Sequence, residues 1–205
     1  MLQGLYSAST AINAYQKVQS VTANNIANVN TGGFQAGRTT LADLPTGGVR
    51  VNSVVTDDTP GYLMNTNRPL DIAIDGPGYF RVENDSGQDL TRSGSFRMDE
   101  EGNLVDPGGS VLAYDIGPAD RVEIDNEGNI FADGDLKGQV EIVDRFGEPV
   151  DNRQYELRTG MLEASNVDMA REIVDSVITL GGYKSNITMA QSNDEMLGTI
   201  INMVG

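Results

Sequence analysis

The chain has 205 residues, no cysteine, no histidine and a formal net charge of −16. The missing cysteines exclude a disulfide framework and thiolate chemistry, and the missing histidines remove the commonest general base and metal ligand. The negative charge disfavours nucleic acid and anionic lipid as partners. No apolar run approaches the ~18 residues that span a bilayer, so we expect no direct membrane insertion.

The sequence divides into three parts. Residues 1–42 contain no acidic residue, residues 43–160 hold all seven prolines and most of the acidic residues, and residues 161–205 again lack proline. Short apolar runs alternate with turn residues only in the middle part. This pattern predicts an α+β protein, with an N-terminal helix and Asn-rich turn in 1–42, a mostly antiparallel β-rich domain in 43–160, and a C-terminal helix in 161–205. The two helical ends are expected to pair as one discontinuous, coiled-coil-like stem.

The N-terminal part has an apolar stripe at helical spacing, followed by a cluster of amides. The stripe consists of Leu5, Ala8, Ile12, Tyr15, Val18 and Val21, and the cluster of Asn24, Asn25, Asn28 and Asn30 lies in "TANNIANVNTGGF". One interpretation is that these amides only end a helix, with an αL turn over 30–33. The other is an uncharged amide face, beside an apolar pair of Ile26 and Val29, that binds neighbouring chains without burying charge.

Two segments of the middle part share one frame and predict hairpins. They are Phe96–Val105 and Val122–Phe131, in which Asp99 and Asp125 are expected to hydrogen-bond their own turns. Their spacing lacks the ligand pattern of a calcium loop. Gly-x-Gly at 76–78 lacks the third glycine of a dinucleotide site. No two carboxylates are singled out as a catalytic pair, so we expect no cofactor, no metal site and no enzymatic activity.

The C-terminal part has a stripe of about five heptads, which predicts a helix of about 35–40 residues. Its apolar members are Met169, Ile173, Leu180, Tyr183, Ile187, Ala190, Leu197, Ile201 and Val204. The pair Gly181-Gly182 interrupts it, and a kink or a close contact is expected there before a break. Both terminal helices are expected to be marginal in a free monomer and firm in an assembly, because their burial barely offsets their ordering entropy.

Several separated motifs stand out along the chain. In chain order they are "GLYSASTAINAYQKVQSVTANNIANVNTGGFQAGR", "LDIAIDGPGYFRV" with "LTRSGSF" and "GNLVDPGG", and "GMLEASNVDMAREIVDSV" with "DEMLGTIINMV". Together and in this order they resemble the rod and hook group of bacterial flagellar axial proteins. The chain departs from the family pattern at Gly32, where proline is usual. It also departs at Leu180-Gly181-Gly182, where a Gln-Arg-Ala run is usual.

The resemblance implies a structural subunit of the flagellar basal-body rod. Copies would stack helically, with each other and with other rod or hook proteins, into a hollow shaft that spans the periplasm. The flagellar export apparatus would secrete the chain without a cleavable signal peptide. The residues predicted to lie at the assembly interface are the amide cluster, Ile26 and the two stripes without Val21 and Ala190. The short middle favours a proximal-rod type, with a distal rod or short hook-type protein as the alternative. A β-domain binding module on a helical dimer stalk is the alternative from another class.

Overall fold

The computed structural model describes residues 2–84, 87–117, 119 and 121–204. Two helices lie at the ends of the chain, α1 (Leu2–Ala27) and α2 (Met169–Val204). The strands between them are β1 (Gly37–Asp43), β2 (Val49–Thr56), β3 (Leu63–Asn65), β4 (Ile72–Asp75), β5 (Tyr79–Asn84), β6 (Gly87–Thr91), β7 (Arg97–Met98), β8 (Asn103–Val105), β9 (Val111–Asp115), β10 (Val122–Ile124), β11 (Asn129–Ala132), β12 (Asp135–Gln139), β13 (Ile142–Val143), β14 (Glu156–Thr159) and β15 (Met161–Glu163). Every pairing among these strands is antiparallel. The predicted α+β class is therefore confirmed.

Local signals define three of the helix ends and turns. The backbone N–H of Asn28 donates to the carbonyls of Asn24 (3.2 Å) and Asn25 (3.1 Å) at the last turn of α1. Gly33 follows with a φ of 69°, as an αL turn requires. At the start of α2, the Asp168 carboxylate accepts the backbone N–H of Ala170 at 3.0 Å, which is an N-cap. The helix then runs unbroken through Gly181-Gly182 for 36 residues, the length that the sequence predicts.

The chain forms two compact units, and their boundaries differ from those drawn from composition. One unit contains α1, the β1–β2 hairpin and α2, and the other contains Asn30–Phe34 and Thr59–Asn166. The composition boundary at 42/43 falls inside β1. The hairpin joins the helical unit because it packs on α1, a contact that a shift in composition does not reveal.

The β unit has its own apolar core. It includes the Phe80 and Phe96 rings, which meet edge to face with their centroids 5.4 Å apart. Strand β5 lies near the middle of the largest sheet, whose order is β13-β5-β9-β8-β7 with β6 also paired to β5. Alternate residues of β5 and β11 are buried, as expected for strands with one face on a core.

Four hairpin turns of the β unit share one construction. In each turn, an aspartate carboxylate accepts the backbone N–H of the residue four positions later at 2.7–3.0 Å. A glycine three positions after the aspartate donates to its carbonyl and has a positive φ. The aspartates are Asp99, Asp106, Asp125 and Asp144. The predicted turn bonding of Asp99 and Asp125 is thus confirmed, together with both predicted hairpins.

These turns also shift the acidity of the two predicted aspartates. The backbone N–H of Asn103 is the main cause of a lowered pKa at Asp99. At Asp125, burial is the largest influence and raises the pKa, but the hydrogen bonds from Asn129 and from the backbone of the turn together outweigh it and lower the pKa. Both carboxylates are therefore stabilised in their charged form by the turn that they close.

Candidate assembly surface

The helices α1 and α2 run antiparallel within their unit and make several close contacts. A Cβ on Gly4 would lie 3.5 Å from Asn193, and Gln19 Nε2 donates to Ser176 Oγ at 2.9 Å. The buried residues of α1 on this unit are mainly alanines: Ala8, Ala11 and Ala14. Among the described side chains of α2, the two buried ones are Thr179 and Glu172, and Glu172 accepts a hydrogen bond from Arg38 of β1 at 2.7 Å. Both helices also carry partly buried apolar residues, so their inward sides are mixed in character.

Another face of α2 carries large apolar side chains that remain in contact with water. We call six of them the outer stripe; they recur at spacings of three, four, seven and eleven residues and are between 39% and 81% exposed: Val174, Ile178, Met189, Met196, Ile200 and Met203. Ile173, Val177 and Leu180 widen this apolar surface in the first half of the helix. Among the described residues this face stays exposed, and large exposed apolar patches are typical of protein interaction sites.

The stripe predicted from the heptad pattern changes sides along α2. Met169, Ile173 and Leu180 are exposed, whereas Tyr183, Ile187, Ala190 and Leu197 are partly buried. A strict seven-residue frame drifts by about 20° per heptad on a straight helix, so one frame cannot follow one face for five heptads. The side chains of Ile201 and Val204 lie outside those that the structure describes.

The predicted residues of α1 occupy the contact side more consistently. Ala8 is buried, and Leu5, Ile12, Tyr15, Val18 and Val21 are partly buried. Tyr15 is the largest of them and lies against Gly182 of α2. These contacts are made within the chain, and their part in binding other copies stays a prediction.

The amide cluster divides into buried and exposed members. Asn25 is 2% exposed, donates from Nδ2 to the Gly37 carbonyl at 3.0 Å, and accepts the Gly37 N–H on Oδ1 at 2.9 Å. Its amide thus pairs with backbone like the edge of a strand. Asn28 Nδ2 donates to the carbonyl of Asn24 at 2.9 Å. Asn24 and Asn30 are exposed and Ile26 is partly buried, so the exposed amides are the ones available to a neighbouring chain.

A buried ion pair in the β unit holds the turn that follows α1. Arg92 Nε donates to Glu163 Oε2 at 2.9 Å, and both side chains are almost fully buried. Glu163 also accepts the Gly61 N–H on its other carboxylate oxygen, at 2.9 Å, and the Gly33 N–H on its backbone carbonyl, at 2.7 Å. The remaining Arg92 donors reach the carbonyls of Ile74, Gly76 and Gly78. Every charge in this cluster is therefore compensated.

Sequence reasoning missed this ion pair and the outer stripe. Arg92 and Glu163 are 71 positions apart, and no local pattern joins them. The outer stripe left a signal, because the adjacent pairs Ile173-Val174 and Val177-Ile178 make the apolar face of α2 wider than one heptad seam.

Within the described residues, no group of three or more acidic side chains is arranged to hold a metal ion. No described helix has a stretch that is both long and apolar enough to cross a membrane.

Comparisons with known proteins agree with the motif order. Three family models match: flagella basal body rod protein at residues 5–35, the flagellar hook protein FlgE/F/G D1 domain at 73–132, and the flagellar basal body rod FlgEFG protein C-terminal region at 158–203. The chain is 30% identical to the flagellar basal-body rod protein FlgG of Bacillus subtilis over 265 aligned positions, which cover 99% of both chains. The chain belongs to the flagellar rod and hook protein family.

Other flagellar rod and hook proteins match over different extents. The chain is 29% identical to the basal-body rod protein FlgG of Agrobacterium fabrum, over 97% of this chain and 98% of that protein. It is 39% identical to the flagellar hook protein FlgE of Salmonella typhimurium, over 51% of this chain but only 28% of that protein. The alignment with the Bacillus subtilis protein has 265 positions and this chain 205 residues, so at least 60 positions fall on gaps in this chain. This chain therefore lacks a substantial number of the residues that the Bacillus subtilis protein has.

Proposed function

We propose that this chain is a structural subunit of the flagellar rod that polymerises through the outer stripe of α2. Its rod and hook relatives support a structural subunit that assembles with other flagellar axial proteins and is located in the flagellum. One observation carries the assembly mode: the six large apolar side chains of the outer stripe stay between 39% and 81% exposed in the single chain.

The size of the outer stripe suggests how such a polymer would hold together. Fully burying a side chain of this kind stabilises by about 1.5–3 kcal/mol, so side chains that are already half-buried add about 1 kcal/mol each, or about 6 kcal/mol for the stripe. Association costs about 4–15 kcal/mol in lost freedom of motion. The stripe alone therefore supports at most a weak dimer. A subunit is held firmly when other surfaces touch further neighbours as well, which favours an open-ended helical polymer.

Charge substitutions on α2 test this mode of assembly. Ile178→Glu places a carboxylate in the outer stripe, and Gln191→Glu adds the same charge at an exposed position on another side of the same helix. We expect Ile178→Glu to abolish filaments in electron microscopy and sedimentation, and Gln191→Glu to form them. Circular dichroism should show both monomers folded. Normal filaments from Ile178→Glu would contradict the proposal, and so would a fixed dimer from the unaltered chain.

The finer placement follows from the family membership as a proposal. We infer that the chain is secreted by the flagellar export apparatus and joins the part of the axis that spans the periplasm. The compact middle supports the proximal-rod type, while partial matches to hook proteins support a short hook-type protein as the second candidate. Decoration of cells with a labelled antibody, followed by electron microscopy of isolated basal bodies, distinguishes these positions. Label at the hook would contradict the proximal assignment.

A further inference from the structure

The apolar residues of α1 that are fully buried are all small, and small residues do not determine how two helices align along their axes. They are Ala8, Ala11 and Ala14. Gln16 and Gln19 bond hydroxyl groups of Tyr183 and Ser176 through long, flexible side chains. Small-residue faces let helices slide by a turn, about 5.4 Å, with little change in buried area. A single axial alignment of α1 and α2 therefore requires a larger side chain that fits into a matching space on the other helix.

Tyr15 and Gly182 supply such a feature. A Cβ built on Gly182 would lie 2.5 Å from Tyr15 Cζ, 2.7 Å from its hydroxyl oxygen and 2.9 Å from Cε1. The ring thus occupies the space that any other residue at 182 would fill. Gly181, its neighbour on the same helix, has nothing within 4 Å of the same position. The close approach therefore belongs to one glycine and not to the glycine pair.

We propose that Tyr15 and Gly182 form a knob and hole that fixes the register of the two terminal helices. By fixing the register, the pair sets the axial position of the outer stripe relative to the rest of the helical unit. The chain then presents one assembly surface instead of several displaced by a helical turn. This consequence for assembly rests on the proposed function, whereas the register itself is a property of the single chain.

The chain contains no cysteine, so an introduced pair reports the register directly. Gln19→Cys with Ser176→Cys places one thiol on each helix at positions whose native side chains reach each other. In this background we expect Gly182→Ala to slow disulfide formation at least about fivefold, because overpacking displaces the helices from this alignment. Gly181→Ala, the matched control, should keep the original rate. Equal rates in the two alanine variants would overturn the knob and hole.

A compensating variant separates a specific fit from general damage. Tyr15→Leu combined with Gly182→Ala exchanges ring volume for a methyl group, and should restore most of the disulfide rate and the filaments. Failure of this variant to improve on Gly182→Ala, with both folded by circular dichroism, would show that the pair has no complementary fit. A displaced register with unchanged filaments would overturn the role in assembly. Absence of filaments from the unaltered chain would refute the proposed function alone, because the disulfide rates are measured on single chains.

Discussion

Replacement of Asn25 by alanine should loosen the helical unit through the backbone of Gly37. The Asn25 amide satisfies both the N–H and the carbonyl of Gly37, at 2.9 Å and 3.0 Å, and is 2% exposed. Leaving one buried polar group without a partner costs about 1–3 kcal/mol. Gly37 is only partly buried, so water replaces some of the lost bonding, and we expect a loss of about 2 kcal/mol in total.

The measurement is urea unfolding of the full chain, with hydrogen exchange of the Gly37 amide as a local reporter. Asn25→Ala should lower the free energy of unfolding of the helical unit and remove the protection of that amide. Asn24→Ala is the matched control, because Asn24 is exposed on the same helix. A loss below about 0.5 kcal/mol, within the usual range for surface substitutions, together with a Gly37 amide that stays protected, would refute the reasoning.

The same substitution addresses the assembly role of the amide cluster. Asn25→Ala and Asn28→Ala should leave the β unit folded and impair polymerisation. For Asn25 the physical reason is now the anchoring of the β1–β2 hairpin on α1, since its amide is occupied inside the chain. Filaments of normal length and number from both variants would show that the amides serve only the fold of their own chain.

Three further perturbations probe the β unit. Glu163→Gln removes the countercharge of a buried guanidinium, and urea unfolding should show a loss of about 3 kcal/mol; a loss below 1 kcal/mol would argue against a tightly coupled pair. Asp99→Asn with Asp125→Asn should flatten the acid limb of a plot of stability against pH. The folded pKa of each aspartate lies below the ordinary 3.8, so their contribution is complete above about pH 4 and is lost as the pH falls through the folded pKa. An unchanged acid limb would contradict this. Gly33 and Gly109 both have a positive φ. In Gly33→Ala the new Cβ would lie 2.3 Å from the backbone nitrogen of Ser93, whereas in Gly109→Ala it would have no neighbour within 4 Å. We expect Gly33→Ala to have the lower melting temperature. Equal melting temperatures of the two variants would refute the close packing at Gly33.

The features that could be predicted from the sequence are those whose causes lie within a few residues. An aspartate followed three positions later by glycine closes its own hairpin turn, and the structure confirms this at Asp99 and Asp125. The stop of α1 and the αL conformation of Gly33 follow from the local amides and glycines in the same way. Helical periodicity likewise predicted the length of α2. The order of several short motifs predicted the family.

The orientation of α2 could not be predicted, because its sequence carries apolar residues on more than one face. The heptad rule selects the face with the most regular spacing, but a straight helix does not keep that face in one direction. Which face is turned inward depends on the surface that α1 offers, and α1 offers alanines and a tyrosine ring. The apolar residues of the outer stripe therefore remain exposed in the single chain.

By itself, the sequence determined two long helices, the Asp-closed turns, the β-rich middle and membership of the rod and hook family, since each depends on local patterns or on motif order. Only the tertiary structure decided that Asn25 binds Gly37, that Arg92 meets Glu163, and that Tyr15 fills the space above Gly182. Tyr15 and Gly182 are 167 positions apart. Contacts at such a separation exist only after the chain has folded, because shape and charge complementarity select them from many alternatives that local patterns leave equivalent.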